Sequence, residues 1–219
     1  MRRYMLMTAV LMLLAVASIG AQEEEKPRIC MIGNSLTDEV LYGSFAKMCE
    51  EAGHPIVWAR KMIPGAPIWW HKEHPTDGFS THFGYPPTAF KEYDWDVLTM
   101  QPFGGGGEKE IEAALHYARL MWERSAGCDI YIYGQWPSHQ SEDWRALWFG
   151  GRGLSKKMFL DVYEGVKERS DKQDQVFFIP CGEIMYRLKK IIDAGQFPQA
   201  PGYEINDVWD LYADGVHLN

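Results

Sequence analysis

The sequence lacks most of the features that assign a chain to a class at sight. Cysteine is scarce: Cys30, Cys49, Cys128 and Cys181 are the four in 219 residues, and no two stand as Cys-x-x-Cys. That excludes a Cys-x-x-Cys redox pair, and four is too sparse for a disulfide scaffold, though a single disulfide after export stays open. There is no basic block. Lys and Arg number 22 against 30 Asp and Glu, a formal charge of −8. An acidic chain without a basic stripe is a poor partner for nucleic acid or an anionic membrane. No His-Glu-x-x-His pair is present, and no tight hairpin signal joins the apolar runs. The longest apolar run falls short of the ~20 residues of a membrane-spanning helix.

That run, from about Met5 to Ile19, follows Arg2 and Arg3 and precedes Ser18, Gly20 and Ala21, then Gln22 and three glutamates. Charged start, apolar middle and small-residue end are the pattern of a secretory signal peptide over residues 1–21. The expected destination is therefore secreted or periplasmic, with no stable membrane span after cleavage and an uncleaved anchor as the alternative. No cysteine stands at the cleavage point, which argues against a lipoprotein. Residues 22–219 suit one domain, and the 46% apolar content of the whole chain is enough for a single core.

Five short apolar runs read as buried parallel strands: 29–32, 56–59, 95–100, 128–133 and 175–180. Helical periodicity between them places helices from Thr37 or Asp38 to about Ala52, over 108–124, over 155–169 and from Cys181 to about Ala194. The 108–124 helix carries Ile111, Ala114, Leu115, Ala118 and Met121 at core spacing. Residues 67–90, rich in Trp, His, Pro and Gly, read as a long loop with at most one short helix. Alternating strands and helices predict an α/β fold of the flavodoxin-like three-layer α/β/α form, with a five-stranded parallel sheet.

The first strand ends in Gly33-Asn34-Ser35-Leu36, which puts Ser35 on the turn at a strand's carboxyl end, where open α/β sheets bind ligands. The chain closes with Asp214-Gly215-Val216-His217-Leu218. A serine hydroxyl needs a base, and an imidazole needs an acceptor that fixes its tautomer; Asp-x-x-His on one loop supplies both. Gly-Asn-Ser-Leu near the start and Asp-Gly-Val-His-Leu near the end together resemble the SGNH hydrolases, the GDSL-like esterases and lipases.

The resemblance implies Ser35, Asp214 and His217 as catalytic residues, with no cofactor and no metal. It implies an oxyanion hole from the backbone of Ser35 and of Gly65, the glycine after the second strand. The family's third motif, Gly-x-Asn-Asp, is absent. The third strand, which opens Trp95-Asp96, ends in Gln101-Pro102-Phe103, so Gln101 is the expected replacement donor. A group of the family classed as a domain of unknown function, with this kind of strand, is most similar. Members usually continue past the histidine into a closing C-terminal helix, whereas this sequence stops two residues after His217, as a fragment or a truncated gene product would; a missing helix would expose apolar surface and weaken the His217 loop.

Asn34, Trp69, Trp136 and Trp144 are the expected substrate contacts, with Trp148 and Phe149 crowding the same loop as Trp136 and Trp144; about half of these four rings are expected to form a hydrophobic floor rather than to stack on a sugar. The rivals are weaker. His71, His74 and His82 could ligate a metal, but no rigid frame surrounds them. Ser138 beside His139 makes a poor in-line pair. Gly104 to Gly107 before Glu108-Lys109 breaks the spacing of a phosphate loop. The expected function is hydrolysis of small-molecule or carbohydrate esters, acetyl or short acyl, through an acyl-enzyme. The competing expectation is a glycan-binding protein on the same fold with impaired catalysis. Oligomeric state is not legible.

Overall fold

The computed structural model describes residues 26–40, 42–104, 107–138, 144–151, 154–199, 201–202 and 204–218. The expected signal segment, His139 and the side chain of Trp144 lie outside these residues. Five parallel strands form the sheet: β1 (Arg28–Gly33), β2 (Val57–Met62), β4 (Val97–Met100), β5 (Asp129–Gly134) and β6 (Val176–Pro180). A sixth, β3 (Phe79–Ser80), pairs antiparallel with the edge of β2, giving the order β3-β2-β1-β4-β5-β6. The five-strand expectation thus misses a two-residue edge strand, too short to carry a periodic signal. The order reverses at β1, so the β1/β4 boundary is the switch point of the sheet.

Eight helices are described: α1 (Ser35–Asp38), α2 (Tyr42–Glu51), α3 (Ile68–Glu73), α4 (Pro86–Glu92), α5 (Glu108–Trp122), α6 (Trp144–Phe149), α7 (Lys156–Glu168) and α8 (Cys181–Asp193). None of the described helices is long and apolar enough to cross a membrane. On one face of the sheet Cys30, Ile32, Leu98, Met100, Ile130 and Ile132 are buried against Ala114, Leu115, Ala118 and Met121 of α5 and Val162 and Val166 of α7. The apolar stripe expected on α5 is therefore the core face. A second cluster, with Leu36, Trp136, Trp148, Phe159, Met185, Val208 and Tyr212, fills the space beyond the strand ends. All four cysteines are free.

Among the described residues the opposite face is thinly covered. Val40 and Phe45 shelter part of it, and with Ile29, Met31, Val97, Thr99, Tyr131, Tyr133 and Ile179 they line an open groove of about 360 Å³. Parallel strands are usually covered on both faces.

Two expectations about local structure are corrected. The first helix is broken into α1 and α2, and its cap is Asn34 rather than Thr37 or Asp38, because Asn34 Oδ1 accepts the Leu36 N–H at 3.0 Å. Residues 67–90 are not one long loop: they hold α3, β3 and the start of α4. The reason is non-local. Glu110, 0% exposed on α5, accepts the Ile68 N–H at 3.0 Å, while Lys61, also 0% exposed on β2, donates to the His71 carbonyl at 3.0 Å and to the His74 carbonyl. A carboxylate at the N-terminal end and an ammonium at the C-terminal end match the helix dipole, so a six-residue helix persists that could not on propensity.

Burial pushes the Glu110 carboxyl up from the ordinary 4.5 to about 7, outweighing the backbone N–H groups of Phe103, Ile68 and Trp69 that favour its charged form. A raised acid makes the folded chain hold a proton that the unfolded chain has already released. Its stabilising contribution is complete below 4.5 and is lost as pH rises through about 7. The stability of wild type relative to Glu110→Gln is therefore expected to fall between pH 5 and pH 8, by on the order of 1 kcal/mol or more. Urea unfolding of both proteins at the two pH values measures it, and a constant difference contradicts it.

Candidate active site

The Ser35 turn is tied down from below. Asn34 is extended (φ −100°, ψ −160°) and opens α1, so Ser35 is the first helical residue and its N–H has no carbonyl within the helix to bind. Gln101, at the end of β4, turns its side-chain oxygen under this turn: Oε1 accepts from the Thr37 hydroxyl at 2.5 Å and from the Asn34 N–H at 3.3 Å. Its amide nitrogen donates to Gln135 Oε1, at the end of β5. Asn34, Gln101 and Gln135 are at most 1% exposed. Gly33 makes the arrangement fit: a Cβ there would lie 1.8 Å from Thr37 Oγ1 and 2.8 Å from Gln101 Oε1.

The imidazole comes from the other end of the chain. Asp214 Oδ1 accepts from the Val216 N–H at 2.7 Å and the His217 N–H at 2.8 Å, which closes a tight turn. Asp214 Oδ2 lies 2.8 Å from His217 Nδ1, and His217 Nε2 lies 3.0 Å from Ser35 Oγ. A carboxylate only accepts, so Nδ1 carries the hydrogen and Nε2 offers its lone pair to the serine hydroxyl. The His217 hydrogen bonds, side chain first and backbone second, pull the Asp214 carboxyl down from 3.8 to about 2. The loop itself is braced: Trp136 Nε1 donates to the Val216 carbonyl at 2.9 Å, Tyr212 Oη donates to the Pro137 carbonyl at 2.8 Å, and Tyr212 pairs with Leu218.

Gly65 lies in the turn after β2, whose Ile63 N–H donates to the Gly33 carbonyl at 3.2 Å and so sits beside the end of β1. The Ala66 N–H closes the turn on Ile63 O at 3.1 Å; Pro64 and Gly65 occupy its centre, and Gly65 adopts φ +68°. Ser35, Asp214 and His217 are thus brought together, with Gly65 on the neighbouring strand end. Other expected residues are placed differently. Gln101 does not face the cleft as an oxyanion donor would, because its amide is buried and bound to Gln135. Asn34 is buried as a cap rather than open to substrate. Trp136, 5% exposed, is a floor and brace rather than a stacking platform. Trp148 is fully buried against Phe159, and Trp69 is half-buried beside Lys109. The three histidines part company: His71 is fully buried on α3, His74 pairs with Asp77 at 3.2 Å, and His82 rests on Phe83.

No family model matches the sequence, and no curated protein is significantly similar to it. Solved structures are. A DUF4886 family protein from Bacteroides uniformis superposes with a TM-score of 0.57 at 15% identity, over 89% of this chain and 77% of that one. A protein described as a GDSL-like lipase, from Parabacteroides merdae, superposes with a TM-score of 0.53 at 14% identity, over 89% and 88%. The chain has the three-layer α/β/α fold of these two proteins.

Four buried polar residues that tie the strand-end turns carry no motif in the sequence: Thr37, Gln135, Lys61 and Glu110. Glu110 leaves a trace, since it sits on the buried stripe of α5 four residues before Ala114. Gln135 and Thr37 leave none, because their partners come from other strands.

Gly33→Ala tests the buried clamp. The added Cβ displaces Thr37 or Gln101, and the change is expected to cost about 1–3 kcal/mol. Hydrolytic turnover, measured well below the melting temperature, should fall at least tenfold as the Ser35 turn shifts. A variant with native stability and turnover would show that the Gln101–Thr37 contact positions nothing.

Proposed function

We propose that the chain is an exported serine esterase that cleaves small or carbohydrate-borne esters, acetyl or another short acyl group, through an acyl-enzyme. The observation that carries the reading is the pair of contacts from His217, 3.0 Å to Ser35 Oγ and 2.8 Å to Asp214 Oδ2. Geometry of this kind is what activates a hydroxyl. Ser35 Oγ attacks the ester carbonyl as His217 Nε2 takes its proton; the imidazolium then gives that proton to the departing alcohol. Water, deprotonated by the same nitrogen, releases the acid and restores the serine. Asp214 stays ionised throughout, since its carboxyl is held down near 2.

The Ser35 N–H, left free of the helix ladder, and the Gly65 N–H, in its left-handed turn, are the oxyanion donors in this reading. Gln101 acts from beneath, through Asn34 and Thr37, rather than on the oxyanion itself. A carbohydrate-borne acyl group is favoured by the acidic composition, the expected export and the aromatic residues after the Gly65 turn, where Trp70 is 40% exposed and stacks on His74. The alternative of a glycan-binding protein without catalysis gains nothing from Trp136 and Trp148, whose rings are buried.

Ser35→Ala is expected to lower p-nitrophenyl acetate turnover by about 10⁴-fold or more with an unchanged melting curve. Asp214→Asn, which leaves the imidazole without its orienting acceptor, should lower it by about 10⁴-fold. Turnover that survives Ser35→Ala excludes Ser35 as the nucleophile.

A further inference from the structure

One buried carboxylate joins the two loops that flank Ser35. Glu110 Oε2 accepts from the Ile68 N–H at 3.0 Å, three residues past Gly65, and Glu110 Oε1 accepts from the Phe103 N–H at 3.1 Å, two residues past Gln101. The side chain is 0% exposed. Its partners are backbone amides, including that of Trp69, rather than a cation. Position 110 lies on the core stripe of α5, where a leucine would serve packing and water could satisfy the loop amides. Placing a carboxylate there carries a desolvation cost that only the amides offset. The burial that raises its titration range shows that this cost is felt.

We propose that Glu110 is a positioning residue of the active site, its two carboxylate oxygens fixing the Gly65 turn relative to the Gln101 strand end. The inference rests on the esterase reading, because only there does the place of the Gly65 N–H matter. Lys61 completes the frame: by binding the His71 and His74 carbonyls it holds the far end of α3, so that α3 and the turn before it move as one piece. The loops run close together: a Cβ added at Gly104 would come into ordinary contact with Pro67, 3.8 Å from its Cβ. An oxyanion donor must sit within about 0.5 Å of its place, and a shift of about 1 Å costs on the order of a hundredfold in rate.

The decisive variant is Glu110→Gln at pH 8. Its amide keeps one acceptor oxygen and sets an NH₂ group against the other loop's N–H. With p-nitrophenyl acetate, kcat should fall about 10- to 100-fold while KM stays within about twofold, since an oxyanion donor acts only in the transition state. Amide hydrogen exchange followed by NMR should quicken at least tenfold at Ile68 or Phe103, with the β1 and β5 amides unchanged. Should the Gln variant not fold, Glu110→Asp, whose shorter arm cannot reach both loops, is read the same way. Unchanged exchange overturns the clamp. Faster exchange with native kcat leaves a purely structural tie and overturns the positioning role. If wild type shows no turnover that depends on Ser35, the esterase reading has failed by itself; faster exchange would still mark the clamp, and the active-site role of Glu110 would be overturned.

Discussion

A hydroxyl and an imidazole 182 residues apart meet at 3.0 Å, and nothing in their own loops could hold that distance. Asp214 is exposed and His217 only half-buried, so the contact depends on what lies beneath. Two buried frames supply it. Gln101, fixed to Gln135, grips the serine turn through Asn34 and Thr37. Trp136 and Tyr212 grip the histidine loop through the Val216 and Pro137 carbonyls. Both frames stand at the carboxyl ends of the strands around the β1/β4 switch point, where the topology opens a crevice.

The polar frame is costly and only partly satisfied: among the described residues Asn34 Nδ2 and Gln135 Nε2 are buried without a partner. Buried amides are costly unless bonded. Gln101 uses its oxygen twice and its nitrogen once, and Gly33 gives up a side chain so that these contacts can form. The aromatic frame works by another route: Trp136 and Tyr212 supply buried apolar area and each spends one polar atom on a loop carbonyl. Rigid apolar packing under one half of the site and a hydrogen-bonded lattice under the other hold the two halves in register. Glu110 and Lys61 extend the same logic to the Gly65 turn, with charge set at each end of a helix too short to stand alone.

What could be read from the sequence was whatever one short stretch of chain decides. The buried first strand, the Gly-Asn-Ser-Leu turn, the α5 stripe and the Asp-x-x-His loop are all local patterns, and the structure has each where it was expected. Asn34 as cap was also within reach, since asparagine before a helix is a strong signal. The errors fall where partners are distant. Gln101 was expected to face substrate, yet which way an amide turns is set by Thr37 and Gln135, on other elements. For Trp136 the sequence leaves a stacking surface and a buried floor both open, because composition gives no account of which side of a loop a ring covers; the structure has the floor. Residues 67–90 looked irregular because the groups that make α3 a helix, Glu110 and Lys61, lie outside the stretch.

The account stands on Ser35 being activated by His217. A fluorophosphonate probe, which bonds covalently to an activated serine and not to a passive one, reads that directly when the labelled peptide is sequenced. The account predicts one label on Ser35, lost in His217→Ala. A folded protein that takes no label, or takes it on another residue, would contradict it.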